Sequence, residues 1–180
     1  MEELYAKLDE LLDVFNEDLI YRNEFLPHKY DIDEKLSEEN LNKIIKNNKD
    51  LEIASDIDHN DNRFLLDPNF LLAFDIENLL NQTFTDGKRR QLSGFFWYPY
   101  GGFCGWHTNN NHVGERSYLT WSADDKKSFF RYKDPKTGEI ITDWDKKGWQ
   151  LRKFMVSKAV PYWHCVGSKT NRISIGVRTL

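Results

Sequence analysis

Phe95-Phe96-Trp97-Tyr98-Pro99-Tyr100-Gly101-Gly102-Phe103-Cys104-Gly105-Trp106-His107-Thr108-Asn109 marks the second half of the chain as sheet. Its aromatic opening, Phe95 to Tyr98, suits the half-buried surface of a sheet and predicts a strand. Pro99 to Gly102 predicts a turn, because Pro presets φ and Gly accepts positive φ. A second strand-like stretch runs from Phe103 to Asn109.

The same texture continues toward the C-terminus. Arg116 to Trp121 alternates as a third strand and Ser128 to Tyr132 as a fourth. Asp134-Pro135-Lys136-Thr137-Gly138 carries the turn chemistry that joins antiparallel neighbours. Further strand segments are expected over Arg152 to Val160, Pro161 to Val166 and Arg172 to Arg178.

Toward the N-terminus the period changes. Leu4, Leu8, Leu11, Leu12, Phe15 and Leu19 recur at three and four residues, which predicts an amphipathic helix over roughly residues 2 to 22, ended by Pro27. Ser37 is placed to cap a short helix with Leu41, Ile44 and Ile45 on one side. Asp67-Pro68 reads as N-cap and first residue of a third helix, with Phe70, Leu71, Phe74, Leu79 and Leu80 facing inward. Asn47 to Asn62 is polar and reads as loop. The expectation is one domain over 1–180: a largely helical support over 1–90, and a sheet-rich part over 91–180 that carries the chemistry. The fold class is mainly β with N-terminal helices, α+β.

Bulk properties bound the function. A length of 180 residues suits one domain with a sizeable core. Net charge is -4, which gives no reason to expect nucleic acid, and Lys88-Arg89-Arg90 reads as a solvated turn. Asp124-Asp125-Lys126-Lys127 reads the same way. Two cysteines, Cys104 and Cys165, are too few for a disulfide framework, so a reducing cytoplasm is expected. No apolar run approaches the ~20 residues that span a bilayer, and no membrane partner is expected.

The chemistry-bearing residues are His107 and Asn109, then His164 followed by Cys165-Val166, then Arg172-Ile173-Ser174. Two histidines on separate strands can converge on one transition metal, and a short polar residue two positions after the first can reach the same ion. Arg172 supplies a fork of donors suited to a carboxylate, with the Ser174 hydroxyl on the same strand face. Together they suit a mononuclear iron centre that uses an acidic co-substrate. His28, His59 and His112 lie in polar segments and are expected to face solvent. Cys165 should point to the opposite strand face from His164 and pack as a small apolar residue.

On these residues the chain resembles the iron(II)- and 2-oxoglutarate-dependent oxygenases, in particular their prolyl-4-hydroxylase-like branch. The resemblance covers Gly94 to Arg178. It rests on Tyr98 to Gly102 leading into Trp106 to Asn109, on Arg116-Ser117-Tyr118-Leu119, and on His164-Cys165-Val166 with Arg172-Ile173-Ser174-Ile175. It implies a double-stranded β-helix core, jelly-roll and cupin-like. It implies Fe(II) as metal, 2-oxoglutarate as co-substrate, O2, and a small-molecule or protein side-chain substrate. It also implies that Tyr98 or Tyr100 donates to the co-substrate carboxylate, and that Arg116 points into the pocket with Trp106 nearby. Arg178, six residues beyond Arg172, is similar to the second of the paired arginines in nucleobase demethylases, or is a surface residue.

Asn109 departs from the family, which has a carboxylate there. A neutral amide is a weaker ligand, and three outcomes stay open: ligation through its oxygen, a supporting position beside water, or a bound anion such as chloride. A hydroxylase is favoured, because the family's halogenases have Gly or Ala at this position and Asn leaves less room. A binding module without turnover, a radical halogenase and a nucleobase demethylase are the alternatives. Substrate-recognition loops are expected over 47–66 and 110–115.

Overall fold

Strands from Arg90 onward pair into two antiparallel sheets whose inner faces share one set of buried side chains. The computed structural model of the chain describes residues 2–23, 31–47, 62–66, 70–109 and 112–180, with the side chains of 14–23 and 70 outside that set. Helices α1 (Glu2–Asn23), α2 (Ile32–Lys35), α3 (Glu38–Asn47) and α4 (Phe70–Thr83) precede most of the sheet. The strands are β1 (Phe64–Leu65), β2 (Arg90–Tyr98), β3 (Phe103–His107), β4 (Gly114–Ser122), β5 (Ser128–Lys133), β6 (Ile140–Trp144), β7 (Gly148–Val156), β8 (His164–Ser168) and β9 (Arg172–Thr179).

One sheet has the order β1-β2-β9-β4-β7 and the other β3-β8-β5-β6. From β2 onward the chain crosses repeatedly between the sheets, and every pairing is antiparallel. This is a double-stranded β-helix, the jelly-roll class in which two facing sheets enclose the site.

Alternation along the strands sets the layers. Ile173, Ile175 and Val177 of β9 face outward and pack with Leu119, Phe95 and Trp97 against Leu4, Leu8 and Leu11 of α1 and Ile76 and Leu80 of α4. Full burial of each such leucine contributes about 1.5–3 kcal/mol. On the other sheet Phe103, Trp106, Phe129 and Cys165 face outward against Ile32, Leu36 and Leu41 of α2 and α3. Between the sheets lie Tyr98, Cys104, Phe130 and Val166.

Local capping agrees with the sequence at Ser37, whose Oγ accepts from the Asn40 N–H at 3.1 Å. α2 was not expected; Asp31 caps it by accepting from the N–H groups of Asp33 and Glu34. Pro27, Asp67-Pro68 and most of the expected loop 47–62 lie outside the described residues. Leu80 is buried as expected, whereas Leu71 and Phe74 are corrections: they are 67% and 54% exposed, and α4 buries Ile76 in their place. The Lys88-Arg89-Arg90 reading is corrected in part. Lys88 and Arg89 are exposed, but Arg90 begins β2, is buried, and donates to both carboxylate oxygens of Asp86 at 2.9 and 2.7 Å.

Candidate metal and co-substrate site

A bulge in β3 places the first histidine. Cys104 pairs with Val166 and His107 with His164, so three steps on β3 match two on β8. Strict alternation would send His107 and Cys104 to opposite faces. The extra residue reverses the phase, so that Trp106 goes outward while Cys104 and His107 both line the interior cavity.

His107 and His164 then face one another with ring centroids 4.1 Å apart. His107 Nδ1 lies 2.8 Å from the Gly105 carbonyl oxygen and His164 Nδ1 lies 2.8 Å from that of Tyr162. A carbonyl can only accept, so each Nδ1 carries the proton and each lone pair sits on Nε2, the tautomer a metal ligand needs. Burial and the neighbouring His107 push the His164 imidazole well below the usual histidine range, which keeps it neutral.

Asn109 follows with φ 56, in the left-handed region that Asn tolerates better than most residues. Its Nδ2 lies 3.1 Å from His164 Nε2 and donates to Tyr118 Oη at 3.2 Å. The amide nitrogen, not the oxygen, therefore meets the imidazole lone pair. Among the described residues no group of three His, Cys, Asp or Glu gathers to hold a metal. The donor set that does gather is two imidazoles and one amide. It fits a metal held by two nitrogens with several open positions, once the amide turns over or swings aside.

His107 lines a cavity of about 200 Å³, and His164 is buried beside it. Tyr98, Ser174, Arg116 and Arg178 from the sequence reading line it, and so do Arg63 and His112. Tyr100 is exposed at the turn, and Trp106 is buried behind the sheet, donating Nε1–H to the Ser37 carbonyl at 3.1 Å. Neither reaches the cavity, which corrects the pocket role expected of Trp106. His112 is exposed, as expected, yet stands at the cavity rim. Arg63 was missed, because it follows a segment that reads as loop.

Arg172 is not part of the cavity lining. It is fully buried one layer below, where its Nε donates to Asp145 Oδ2 at 2.8 Å and its Nη2 to Thr120 Oγ1 at 3.3 Å. Asp145 also accepts from Ser128 at 2.5 Å, from Gln150 at 3.0 Å and from Arg152. Burial opposes its ionisation, but Arg172 and Arg152 hold its carboxyl below the usual range. The guanidinium carbon lies 5.1 Å from the Tyr98 ring centroid, and Nη1 is buried with no hydrogen-bond partner. An orphaned donor beside Tyr98, whose own side chain lines the cavity, fits a carboxylate entering from above.

The fold and site thus define a double-stranded β-helix with a two-histidine centre over a cationic cavity. Among solved structures the chain is similar to an oxidoreductase of the 2OG-Fe(II) oxygenase family from Burkholderia pseudomallei, at 15% identity, covering 65% of this chain and 64% of that one with a TM-score of 0.45. It is similar to a Pseudomonas putida prolyl-4-hydroxylase at 18% identity, covering 86% and 88%, with a TM-score of 0.42. A cupin superfamily protein from Desulfitobacterium hafniense matches at 13% identity over 72% and 89%, with a TM-score of 0.35. The chain spans less than two thirds of the first of these. No family model and no curated protein sequence matches.

Proposed function

We propose that this chain is an iron(II)- and 2-oxoglutarate-dependent oxygenase that hydroxylates a C–H bond of a small molecule or amino-acid side chain. The observation that carries the reading is the facing pair His107 and His164, each with Nδ1 held by a carbonyl and Nε2 left as the lone-pair nitrogen. Iron(II) there, with 2-oxoglutarate and O2, supplies the oxidation: one oxygen atom goes to the substrate C–H and the other to succinate, with loss of CO2.

The chain's own residues bind, orient and shield. His107 and His164 would hold the metal, and Arg172 Nη1 with Ser174 and Tyr98 would take the far carboxylate of the co-substrate. Tyr98 stays protonated, because burial raises its phenol above the ordinary range, and so remains a donor. Phe96, Val166 and the aromatic ring of Tyr118 restrict water at the reacting position.

One observation favours a second reading, a metal-binding module without turnover. The Asn109 amide nitrogen occupies the His164 lone pair, and Arg172 already has a carboxylate partner in Asp145. Anaerobic titration with iron(II) and 2-oxoglutarate separates the two. The oxygenase reading expects a metal-to-ligand charge-transfer band, followed by succinate when O2 is admitted. No band sinks the oxygenase reading, and a band without succinate across candidate substrates favours the module. Product analysis with chloride added distinguishes hydroxylation from halogenation.

A further inference from the structure

We infer that Arg116 and Arg178 form an oxyanion subsite at the cavity mouth, built for a phosphoryl group carried by the substrate. Arg116 of β4 and Arg178 of β9 are direct cross-strand partners. Like charges in that position repel, and neither has a carboxylate partner among the described residues. Arg116 is 6% exposed and makes one hydrogen bond, to the His112 carbonyl at 3.2 Å. Arg178 Nε is buried with no partner. Buried charges are ordinarily paired, so the buried Arg116 beside the half-buried Arg178, whose Nε has no partner, describes a site whose counter-charge comes from a ligand.

The place of the pair identifies whose anion it is. Both arginines, with His112, line the inner cavity and also an outer cleft of about 290 Å³, so they stand where a molecule enters. Among the described residues that line the inner cavity there is no Asp or Glu. The outer cleft has Glu115, which accepts from Thr179 Oγ1 at 3.1 Å and lies 3.8 Å from Lys88 Nζ. Burial lowers the affinity of Arg116 for its proton, and Arg178 acts in the same direction against a larger opposing influence of Tyr118. Two positive charges match a phosphate monoester, which carries about −1.5 to −2 at neutral pH and offers three oxygens to two forks. A carboxylate is satisfied by one fork.

The subsite stands on Arg116 and Arg178 alone; its assignment to substrate and not to co-substrate rests on the oxygenase reading. The test is calorimetric titration of the metal-free full chain with inorganic phosphate at constant ionic strength. R116Q and R178Q should each weaken phosphate binding roughly tenfold or more, and R89Q, at an exposed arginine outside the cavity, should leave it unchanged. R116K and R178K, which keep charge and lose the fork, should recover part of the binding. Absence of phosphate binding by the wild type, or binding that survives both Gln substitutions in folded variants, overturns the subsite. Acetate binding as tightly as phosphate overturns the phosphoryl assignment. Repeating the titration with Mn(II) and 2-oxoglutarate present should leave phosphate affinity unchanged, whereas competition overturns the assignment to substrate. If 2-oxoglutarate does not bind while phosphate still needs both arginines, the oxygenase reading falls and the subsite stands.

Discussion

His107 and His164 stand directly opposite one another on β3 and β8, and each ring is held by the carbonyl two residues before it, Gly105 and Tyr162. The two strands therefore present their lone pairs by the same local device. Pre-orientation of this kind removes the rotamer cost of binding a metal. His107→Ala and His164→Ala should each weaken Mn(II) binding by about 100-fold or more, since loss of even a supporting partner costs ~10–100-fold. Titration calorimetry reads this directly, and unchanged affinity in either variant removes the pair from the metal site.

Asn109 sets both backbone and charge. Asn109→Asp keeps a residue that tolerates φ 56 and adds the missing negative charge. Metal affinity should rise by at least about tenfold, a gain on the order of 1.4 kcal/mol. Asn109→Ala should lower stability by about 1–2 kcal/mol from the left-handed conformation alone. Denaturant melts of the two variants check the stability difference.

Asp145 neutralises the fully buried Arg172 and the part-buried Arg152. Asp145→Ala leaves both without that partner and should cost about 3–5 kcal/mol. The pH dependence has a definite sign. The folded carboxyl is held below its ordinary value, so its stabilisation is full above about pH 4 and is lost as pH falls through the folded value. Acid unfolding of the wild type should steepen below about pH 4, and this component should be absent in Asp145→Asn.

Gly167 on β8 has no room for a side chain. A Cβ there would lie 2.5 Å from Phe129 Cζ and 2.8 Å from Leu36 Cδ1, both in the packed layer under α2 and α3. Gly167→Ala should therefore destabilise by about 1–3 kcal/mol. The melting temperature checks it, and a variant as stable as wild type would show that this layer yields.

The layout of helices before sheet was legible because each element announces its own period: Leu4, Leu8 and Leu11 at helical spacing, and Ile173, Ile175 and Val177 at strand spacing. The α4 face was legible at Leu80 and misread at Leu71 and Phe74, which are as apolar as the buried Ile76. Which stripe of a helix with apolar residues on more than one face is buried depends on where the sheet lies against it. Arg90 was misread for a related reason. A buried arginine is legible only from its partner, and Asp86 becomes one when the chain bends between α4 and β2.

Legible from the residues were the strand-rich second half, the turn at Pro99 to Gly102, and the two histidines with an amide where an acid is expected. Those are local properties: propensity, turn chemistry and the identity of a donor atom. The tertiary structure alone decided which side chains meet. A one-residue bulge between Cys104 and His107 turned His107 inward and Trp106 outward, and period-two reasoning cannot see such a phase reversal. It also buried Arg172 against Asp145, 27 positions away, and set Arg178 across from Arg116 at the mouth. Charge partners across strands are fixed by register, and register follows from the packing of the whole sheet.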